Sequence, residues 1–237
     1  MDEKIIRLKE LIDKSKSVVF FGGAGVSTES GIPDFRSKDG LYNQKYDYPP
    51  EEILSHTFFM RKTEEFFKFY RDKLDSRQFE PNVTHYKLAE MEKAGKLSAV
   101  VTQNIDGLHQ RAGSKTVYEL HGSVLRNYCM KCHKFYGAED IFGVTGIPRC
   151  SCGGLIKPDV VLYEEPLDDK TVRGAVRAIA NADLLIIGGT SLTVYPASSY
   201  ITYCKGKLAL VNKSSTQYDG MADLVINKGL GEVFSQL

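Results

Sequence analysis

Residues 18–27 read VVFFGGAGVS, an apolar run that ends in a glycine-rich turn. Further short apolar runs follow along the chain, at residues 99–101, 184–187, 208–211 and 224–226. Short strands that are apolar on both faces are typical of a parallel sheet covered by helices on each side. Helical periodicity or helix-boundary residues mark residues 5–12, 84–94 and 168–180, with Thr84 as the expected N-cap of the second helix and Gly95 as its stop. The pattern predicts an α/β protein built on an open parallel sheet.

Composition excludes several classes of protein. The 237 residues are 42% hydrophobic and 26% charged, with a net charge of +1, which is unlike disordered, collagenous or fibrous chains. A nearly neutral chain has no overall attraction to nucleic acid or to an anionic membrane. The apolar runs are far shorter than the roughly 18 residues of a membrane span, and the acidic N-terminus is unlike a signal peptide. We expect a soluble cytoplasmic monomer that has no membrane partner and no direct nucleic-acid partner.

Two insertions interrupt the alternation of strands and helices. Residues 37–80 carry aromatic side chains at spacings of three and four, which predicts a small helical module. Residues 124–157 hold clustered cysteines and little periodicity, so this segment needs a staple to fold. We therefore expect a discontinuous sheet domain made of residues 1–36, 81–123 and 158–237, and a small domain made of the helical module and the cysteine-rich module.

The clustered cysteines form two close pairs: Cys129 with Cys132, and Cys150 with Cys152, separated by 17 residues. Two thiolate pairs at such a separation suit one tetrahedral zinc ion. Residues 129–133 also read C-x-x-C-H, the attachment motif of c-type haem, but haem leaves the second pair unexplained. His133 as a zinc ligand is a minor alternative to an ordinary surface histidine. Cys204 has no partner in sequence and is interpreted as a buried apolar residue.

The glycine-rich turn follows a predicted strand, where α/β sheets place phosphate-binding loops. Its match to the dinucleotide fingerprint is incomplete, because Thr28 occupies the position of the third glycine. A tight strand-to-helix turn that needs glycine geometry is the alternative interpretation. The polar, turn-rich residues 27–37 that follow are unlike a core segment and favour binding.

Residues 23–36 resemble the glycine-rich cofactor signature of the sirtuins, NAD-dependent protein lysine deacylases. Other motifs of that family occur in the same order: TQNID at 102–106, HG at 121–122, GTSL at 189–192 and VN at 211–212. The resemblance spans about residues 15–215 and is closest to bacterial-type minimal catalytic cores. It implies an NAD-binding Rossmann-like domain with helices on both faces, and a small domain made of a zinc ribbon and a helical insertion. The zinc of this family is structural.

The resemblance implies that acyl groups, acetyl above all, leave lysine side chains of proteins while NAD+ is consumed, with nicotinamide, O-acyl-ADP-ribose and free lysine as products. Asn104 and Asp106 are assigned to the catalytic site with the base, His121. Phe35 is expected to cover the reacting centre. The residues that the resemblance assigns to NAD+ are Gly23, Ala24, Gly25, Ser27, Asp34, Phe35, Arg36, Gln103, Asn104, Ile105, Asp106, Gly188, Thr190, Ser191 and Asn212.

His121 is the best candidate for a general base among the five histidines. It follows a short predicted strand and precedes Gly122, and an unperturbed imidazole accepts a proton near neutral pH. The other four histidines are interpreted as structural. For Asn104 and Asp106, an N-cap of a helix that starts near Gly107 is a role that can coexist with binding.

Residues 157–165 resemble the family strand beside the acyl-lysine tunnel, where an extended peptide can add as a strand. The substrate residues are assigned as Val160, Val161, Leu162 and Tyr163, with Val160 lining the tunnel. Residues 163–165 read Tyr-Glu-Glu where many members have Phe-Gly-Glu. The two acidic residues, Glu164 and Glu165, are interpreted either as a preference for basic peptides or as a solvated charge run. Lys45 replaces the Arg of a Tyr-x-x-Arg pair that begins at Tyr42, which weakens the case for acidic acyl groups.

Two other functions fit the same scaffold. Mono-ADP-ribosyl transfer differs only in the nucleophile, and a non-catalytic NAD or ADP-ribose sensor needs no base. The mass of the product separates these alternatives.

Overall fold

The computed structural model describes residues 2–34, 40 and 48–237. Two groups of expected site residues, Phe35 with Arg36 and residues 42–45, lie outside this range. The strands are β1 (Val18–Gly22), β2 (Leu97–Thr102), β3 (Val117–Glu119), β4 (Gly122–Cys129), β5 (Phe135–Gly137), β6 (Ile156–Val160), β7 (Leu184–Gly188), β8 (Lys207–Val211) and β9 (Leu224–Ile226). The α-helices are α1 (Glu3–Lys14), α2 (Pro50–Ile53), α3 (His56–Arg61), α4 (Thr63–Lys73), α5 (Val83–Lys93), α6 (Leu108–Ala112), α7 (Glu139–Phe142), α8 (Asp169–Ala180) and α9 (Leu230–Phe234).

Six strands form a parallel sheet in the order β3-β2-β1-β7-β8-β9. Every residue of β1 is buried, because alternate side chains enter two different cores. Phe20 packs among side chains of α1, α5 and α9, whereas Phe21 packs among side chains of α8 and the 3₁₀ segment Ala197–Tyr203. The predicted open α/β sheet with helices on both faces is confirmed.

The strand order makes β1 a switch point. The chain continues from β1 to β2 and β3 on one side, while β7 lies on the other side, with Gly22 paired to Thr102 and to Gly188. Loops that leave the carboxyl ends of such neighbouring strands diverge, and the crevice between them is where open α/β sheets bind ligands. The glycine-rich turn lies at this crevice.

The cysteine-rich insertion has more regular structure than its weak periodicity predicted. Strands β4, β5 and β6 form an antiparallel sheet in the order β5-β4-β6. Its inner face shares one core with the aromatic side chains of the helical module, which are Phe58, Phe59, Phe66, Phe67, Phe69 and Tyr70. The two insertions therefore pack on each other.

Helix α5 begins earlier than predicted. Its N-cap is Asn82, whose side chain accepts a hydrogen bond from the Thr84 backbone, and His85 completes a capping box. The prediction of Thr84 as the N-cap was wrong because Asn82 already has the extended backbone and the side-chain acceptor that this position needs. Gly95, with φ of 74°, follows the end of the helix as predicted. Across the described ranges, no helix combines the length and apolarity needed to cross a membrane.

Two histidines are fully enclosed between α5 and α6. The ring centroids of His85 and His109 are 4.7 Å apart, and neither ring nitrogen of His109 has a hydrogen-bond partner among the described residues. Burial lowers the pKa of His85 from 6.5 to about 4. Burial, and then the neighbouring His85, lower the pKa of His109 well below 6.5. Both side chains are therefore neutral in the folded protein at neutral pH.

Stability should fall as the pH drops from 6.5 towards 4. The unfolded chain binds protons at both histidines below pH 6.5 whereas the folded chain does not, and each such proton contributes a slope of about 1.4 kcal/mol per pH unit. His109→Leu removes one of these groups without breaking a hydrogen bond that involves its ring. We expect urea unfolding of this variant to match the wild type at pH 7.5 and to lose less stability at pH 5. Equal losses at pH 5 would contradict this account.

Candidate active site

The glycine-rich turn is shaped by contact with the loop that follows β7. The Gly25 N–H donates to the Gly189 carbonyl oxygen at 2.8 Å, and a Cβ built on Gly25 would lie 2.8 Å from the Gly189 Cα. A Cβ on Gly23 would lie equally close to Cβ of Thr190. Glycine is required here by the packing of two loops and not by the backbone conformation of a tight turn, since neither Gly23 nor Gly25 has a positive φ.

A buried polar group lies beside this turn. Ser27 Oγ donates to Asp106 Oδ2 at 2.7 Å and accepts from Asn104 Nδ2 at 3.0 Å. The other carboxylate oxygen of Asp106 accepts from the Leu108 N–H at 2.9 Å, at the start of α6. Burial raises the pKa of Asp106, while its hydrogen bonds act in the opposite direction. The N-cap of α6 is Gly107, so the prediction of an N-cap at Asn104 or Asp106 was wrong, although Asp106 still accepts the first N–H of this helix from its position in the crevice.

Side-chain amides connect the ends of three strands. Gln103 follows β2, and its Nε2 donates to Thr190 Oγ1 at 3.2 Å. Asn212 follows β8, and its amide both accepts from the Thr190 N–H and donates to the Thr190 carbonyl oxygen. Asn212 thus fixes the turn that carries Thr190 and Ser191.

His121 lies in the short connection between β3 and β4. Its Nδ1 is 3.0 Å from the Gln103 carbonyl oxygen. A carbonyl oxygen only accepts, so in the neutral ring Nδ1 carries the proton and Nε2 carries the free lone pair. Burial lowers the pKa of His121 below 6.5, against the opposing effect of the Gln103 carbonyl. The ring is therefore a neutral base at physiological pH.

An extended segment at the end of β6 forms a wall of the crevice. The Val161 N–H donates to the His121 carbonyl oxygen at 3.0 Å, and the Tyr163 N–H donates to the Leu54 carbonyl oxygen at 2.9 Å. The side chains of Val160 and Leu162 are buried, whereas Tyr163 is exposed. This backbone runs directly past the candidate base.

The two acidic residues after this wall are already engaged. The Glu165 carboxylate contacts Lys157 at 2.9 Å and the His56 ring at 2.8 Å. Glu164, at φ of 75°, accepts from both the backbone N–H and the hydroxyl of Thr57. Neither interpretation from the sequence describes them well, because both carboxylates join the wall to α3.

These elements surround one cleft of about 1130 Å³. That volume exceeds what a single small ligand needs, so a large cofactor and part of a second substrate fit together. Of the expected catalytic, cofactor and substrate residues that the structure describes, Gly188 alone is absent from the lining. Gly188 ends β7 and is buried, and the adjacent Gly189 lines the cleft. The cleft brings together Gly23, Ala24, Gly25, Ser27, Asp34, Gln103, Asn104, Ile105, Asp106, His121, Val160, Val161, Leu162, Tyr163, Thr190, Ser191 and Asn212.

One supporting residue was missed by the sequence reasoning. Asn82 Nδ2 donates to the Val26 carbonyl oxygen at 2.8 Å and to Ser30 Oγ at 2.9 Å, so the cap of α5 also holds the glycine-rich turn. Its position directly after Pro81 and before a helix was an available signal for the cap. The contact with a loop more than 50 residues away had no local signal.

The four clustered cysteines converge on one point. All four Sγ atoms lie within 4.8 Å of one another, and the shorter separations, such as Cys129 to Cys152 and Cys132 to Cys152, are 3.5 Å. Tetrahedral zinc with Zn–S bonds of about 2.3 Å places its sulfur ligands about 3.8 Å apart. The first cysteine of each pair also accepts a backbone N–H, from Cys132 and from Cys152. The donor set fits zinc, and four protein ligands leave no open position for catalysis.

Other interpretations of the cysteines fare less well. Because the C-x-x-C pair is completed by Cys150 and Cys152, c-type haem has no place in this cluster. His133 is exposed and is not part of the cluster found among the described residues. Cys204 is only partly buried, so the prediction of a buried residue was only partly correct, since this cysteine follows a 3₁₀ segment at the edge of a core.

This chain is similar to Sir2 family proteins in both sequence and structure. Residues 23–196 match the Sir2 family. An NAD-dependent protein deacetylase of Clostridium perfringens is 61% identical, and the match covers 100% of this chain and 99% of that protein. A Sir2 structure with a deacetylated p53 peptide and 3'-O-acetyl-ADP-ribose superposes with a TM-score of 0.90 at 38% identity, covering 98% of this chain and 96% of the other. A Sir2 structure with p53 peptide and NAD+ has a TM-score of 0.88 at 38% identity and covers 100% and 97%.

The cysteine cluster predicts one tightly bound zinc ion that is needed for folding. Cys152→Ser removes one of four ligands, so we expect the zinc content to fall well below one ion per chain and the melting temperature to drop. Cys204→Ser is the matched control, because it removes a thiol outside the cluster, and should leave both values unchanged. Metal analysis and thermal unfolding test this. Full zinc content in Cys152→Ser would contradict a four-cysteine site.

Proposed function

The chain belongs to the Sir2 family, and we propose that it removes acetyl groups from protein lysine side chains at the expense of NAD+, releasing nicotinamide, O-acetyl-ADP-ribose and free lysine. One observation carries this proposal. The glycine turn, the Ser27–Asn104–Asp106 group, a neutral His121 and an extended backbone wall all line the same cleft. A cofactor and an extended peptide can therefore meet at one base.

NAD+ supplies the ribose carbon from which nicotinamide departs when the acyl oxygen of the lysine arrives. The cleft offers a fit for each part of this co-substrate. We assign Gly23, Ala24, Gly25 and Ser27 to the phosphates, because all four line the cleft directly after β1, where α/β sheets place phosphate-binding loops. Gln103, Thr190 and Ser191 are assigned to the ribose hydroxyls and Asn212 to the adenosine end of the co-substrate. Asp34 and Ile105 line the same cleft.

We assign Asn104 and Asp106 to the nicotinamide end of the cleft. A carboxamide needs both a donor and an acceptor, and an amide next to a carboxylate offers both. Their hydrogen bonds to Ser27 hold the two side chains in place before binding, so little ordering is left to do. Phe35 and Arg36 stay assigned to the cofactor from the sequence, outside the described residues.

His121 acts as the base through Nε2 in this proposal. The Gln103 carbonyl holds the proton on Nδ1, and so directs the free lone pair away from the backbone. After accepting a proton from a ribose hydroxyl, the ring carries a positive charge that the same carbonyl stabilises. Gln103 thus has two tasks, since its backbone orients the base and its side chain reaches Thr190.

The acyl-lysine peptide is assigned to the wall formed by Val160, Val161, Leu162 and Tyr163, with the buried Val160 side chain at the tunnel. Recognition through backbone hydrogen bonds makes little demand on peptide sequence. Glu164 and Glu165 are committed to Thr57, His56 and Lys157, so we expect no strong preference for basic peptides.

The zinc ion has a structural role in this proposal. Cys129, Cys132, Cys150 and Cys152 hold it at the edge of the three-stranded sheet, while the opposite end of β4 begins at Gly122 beside the base. We further propose the domain division at residues 36/37, 80/81, 123/124 and 157/158, a monomeric state and a cytoplasmic location. Clustered cysteine ligands are typical of a reducing compartment, which supports that location.

The decisive experiment is mass spectrometry of an acetyl-lysine peptide incubated with the protein, with and without NAD+. We expect nicotinamide, O-acetyl-ADP-ribose and deacetylated peptide in equal amounts, and a rate about 10² to 10⁴ times lower in His121→Ala. The control His133→Asn changes an exposed histidine with φ of 57°, which Asn tolerates, and should retain activity. A peptide that gains ADP-ribose would instead identify a transferase.

The pH profile of the same reaction tests the role of the neutral ring. Because the pKa of His121 is lowered below 6.5, the fraction of free base is already high at pH 7, and kcat/KM should fall only below pH 6.5. If the acid limb persisted unchanged in the residual activity of His121→Ala, another group would be the base.

Gly25→Ala should weaken the binding of NAD+. A Cβ on Gly25 would press on the backbone of Gly189, and relief of this overlap moves the two loops apart; we expect NAD+ affinity to fall by about tenfold or more. Gly220→Ala is the control, since a Cβ there meets nothing within 4 Å. Isothermal titration with NAD+ measures both, and equal affinities would show that the close contact of the loops is not needed.

A further inference from the structure

An ionic cluster outside the cleft connects the two sheets. Arg126, on β4, places Nη1 at 2.6 Å from Glu119 Oε2 and Nε at 2.8 Å from Asp159 Oδ2. Glu119 ends β3 of the six-stranded sheet, while Asp159 lies on β6 of the three-stranded sheet. One guanidinium therefore joins three strands, and a planar group with five donors is the side chain suited to two carboxylates at once.

The cluster encloses the connection that carries His121. Glu119 precedes His121 by two residues, and Asp159 directly precedes Val160. The backbones at Gly122 and Asp159 are in close contact, since a Cβ on Gly122 would lie 1.9 Å from the Asp159 carbonyl oxygen. The Val161 N–H bond to the His121 carbonyl oxygen completes the link. The base and the substrate wall are thus held from the same side by one cluster.

The ion pairs of Arg126 are partly shielded from water. The Glu119 side chain is only 8% exposed, compared with 37% for Arg126 and 39% for Asp159. Burial alone would lower the pKa of Arg126, but its hydrogen bonds to the two carboxylates outweigh burial and raise it. Removal of Arg126 would leave the Glu119 carboxylate buried without its partner, which is strongly destabilising, so the arrangement of these strands depends on Arg126.

We propose that Arg126 is a positioning residue that sets the distance between the base His121 and the wall that binds the acyl-lysine. The inference rests on the proposed function, because it takes His121 as the base. Among the described residues that line the cleft, none belongs to the cluster. Arg126 therefore acts through Glu119 and Asp159, and not on the cofactor directly.

Arg126→Met keeps most of the side-chain volume and removes both ion pairs. We expect kcat/KM for an acetyl-lysine peptide to fall about tenfold to a hundredfold, because a shift of about 1 Å between reacting groups has such an effect. NAD+ affinity should stay within about twofold of the wild type, since the cleft residues of the glycine turn are untouched. Arg126→Lys should be intermediate, because an ammonium group is a point charge and satisfies two carboxylates poorly.

Stability must be separated from positioning. Arg126→Met leaves the Glu119 carboxylate buried without its partner, so its melting temperature should fall. The double variant Arg126→Met with Glu119→Gln removes that buried charge and should regain melting temperature while its kcat/KM stays low. Arg173→Met is the matched control, because it breaks an exposed ion pair with Asp169, and should change neither value.

A measurement that needs no catalysis completes the test. Hydrogen exchange at the Val161 amide, which donates to His121, should be faster in Arg126→Met and unchanged in Arg173→Met. Unchanged exchange, recovery of kcat/KM together with melting temperature in the double variant, or a parallel loss of NAD+ affinity would each overturn the proposal. Absence of deacetylation by the wild type would instead refute the proposed function, and the exchange result would still be readable.

Discussion

The candidate active site depends on one close contact between two backbone loops. The loops after β1 and β7 meet where Gly25 donates to Gly189, and no side chain fits between them. Because β1 and β7 are parallel neighbours at the switch point of the sheet, their loops open the crevice in which the polar side chains gather. Asn82, the N-cap of α5, donates to the Val26 carbonyl oxygen of the same turn, so this hydrogen bond connects the position of α5 to the turn.

Around that crevice the protein holds its polar groups ready before any ligand arrives. Ser27, Asn104 and Asp106 bond to one another, and the His121 tautomer is set by a backbone carbonyl. Groups ordered in advance lose less freedom on binding and need less rearrangement during reaction. This arrangement removes Asp106 and His121 from water, which raises the pKa of Asp106 and lowers the pKa of His121.

The small domain has a different kind of stability. Its three-stranded sheet is short and buries little apolar surface by itself. The aromatic side chains of α3 and α4 supply most of its core, and the cysteine cluster offers a site for a stabilising metal ion. Polar links then attach this domain to the cleft: Glu164 and Glu165 join the wall to α3, and Arg126 joins β4 to the larger sheet. The cleft thus lies where the small domain meets the six-stranded sheet.

The sequence by itself determined the α/β class, the four-cysteine cluster and the main polar residues of the cleft. Each of these has a local signature: apolar runs such as 18–21, cysteines in close pairs, and short motifs such as TQNID. Only the tertiary structure decided the tautomer of His121, the second role of Asn82, the engagement of Glu164 and Glu165, and the Arg126 cluster. These features depend on contacts between residues that are far apart in the chain. Strand order and helix packing bring such residues together, and no local sequence pattern encodes them.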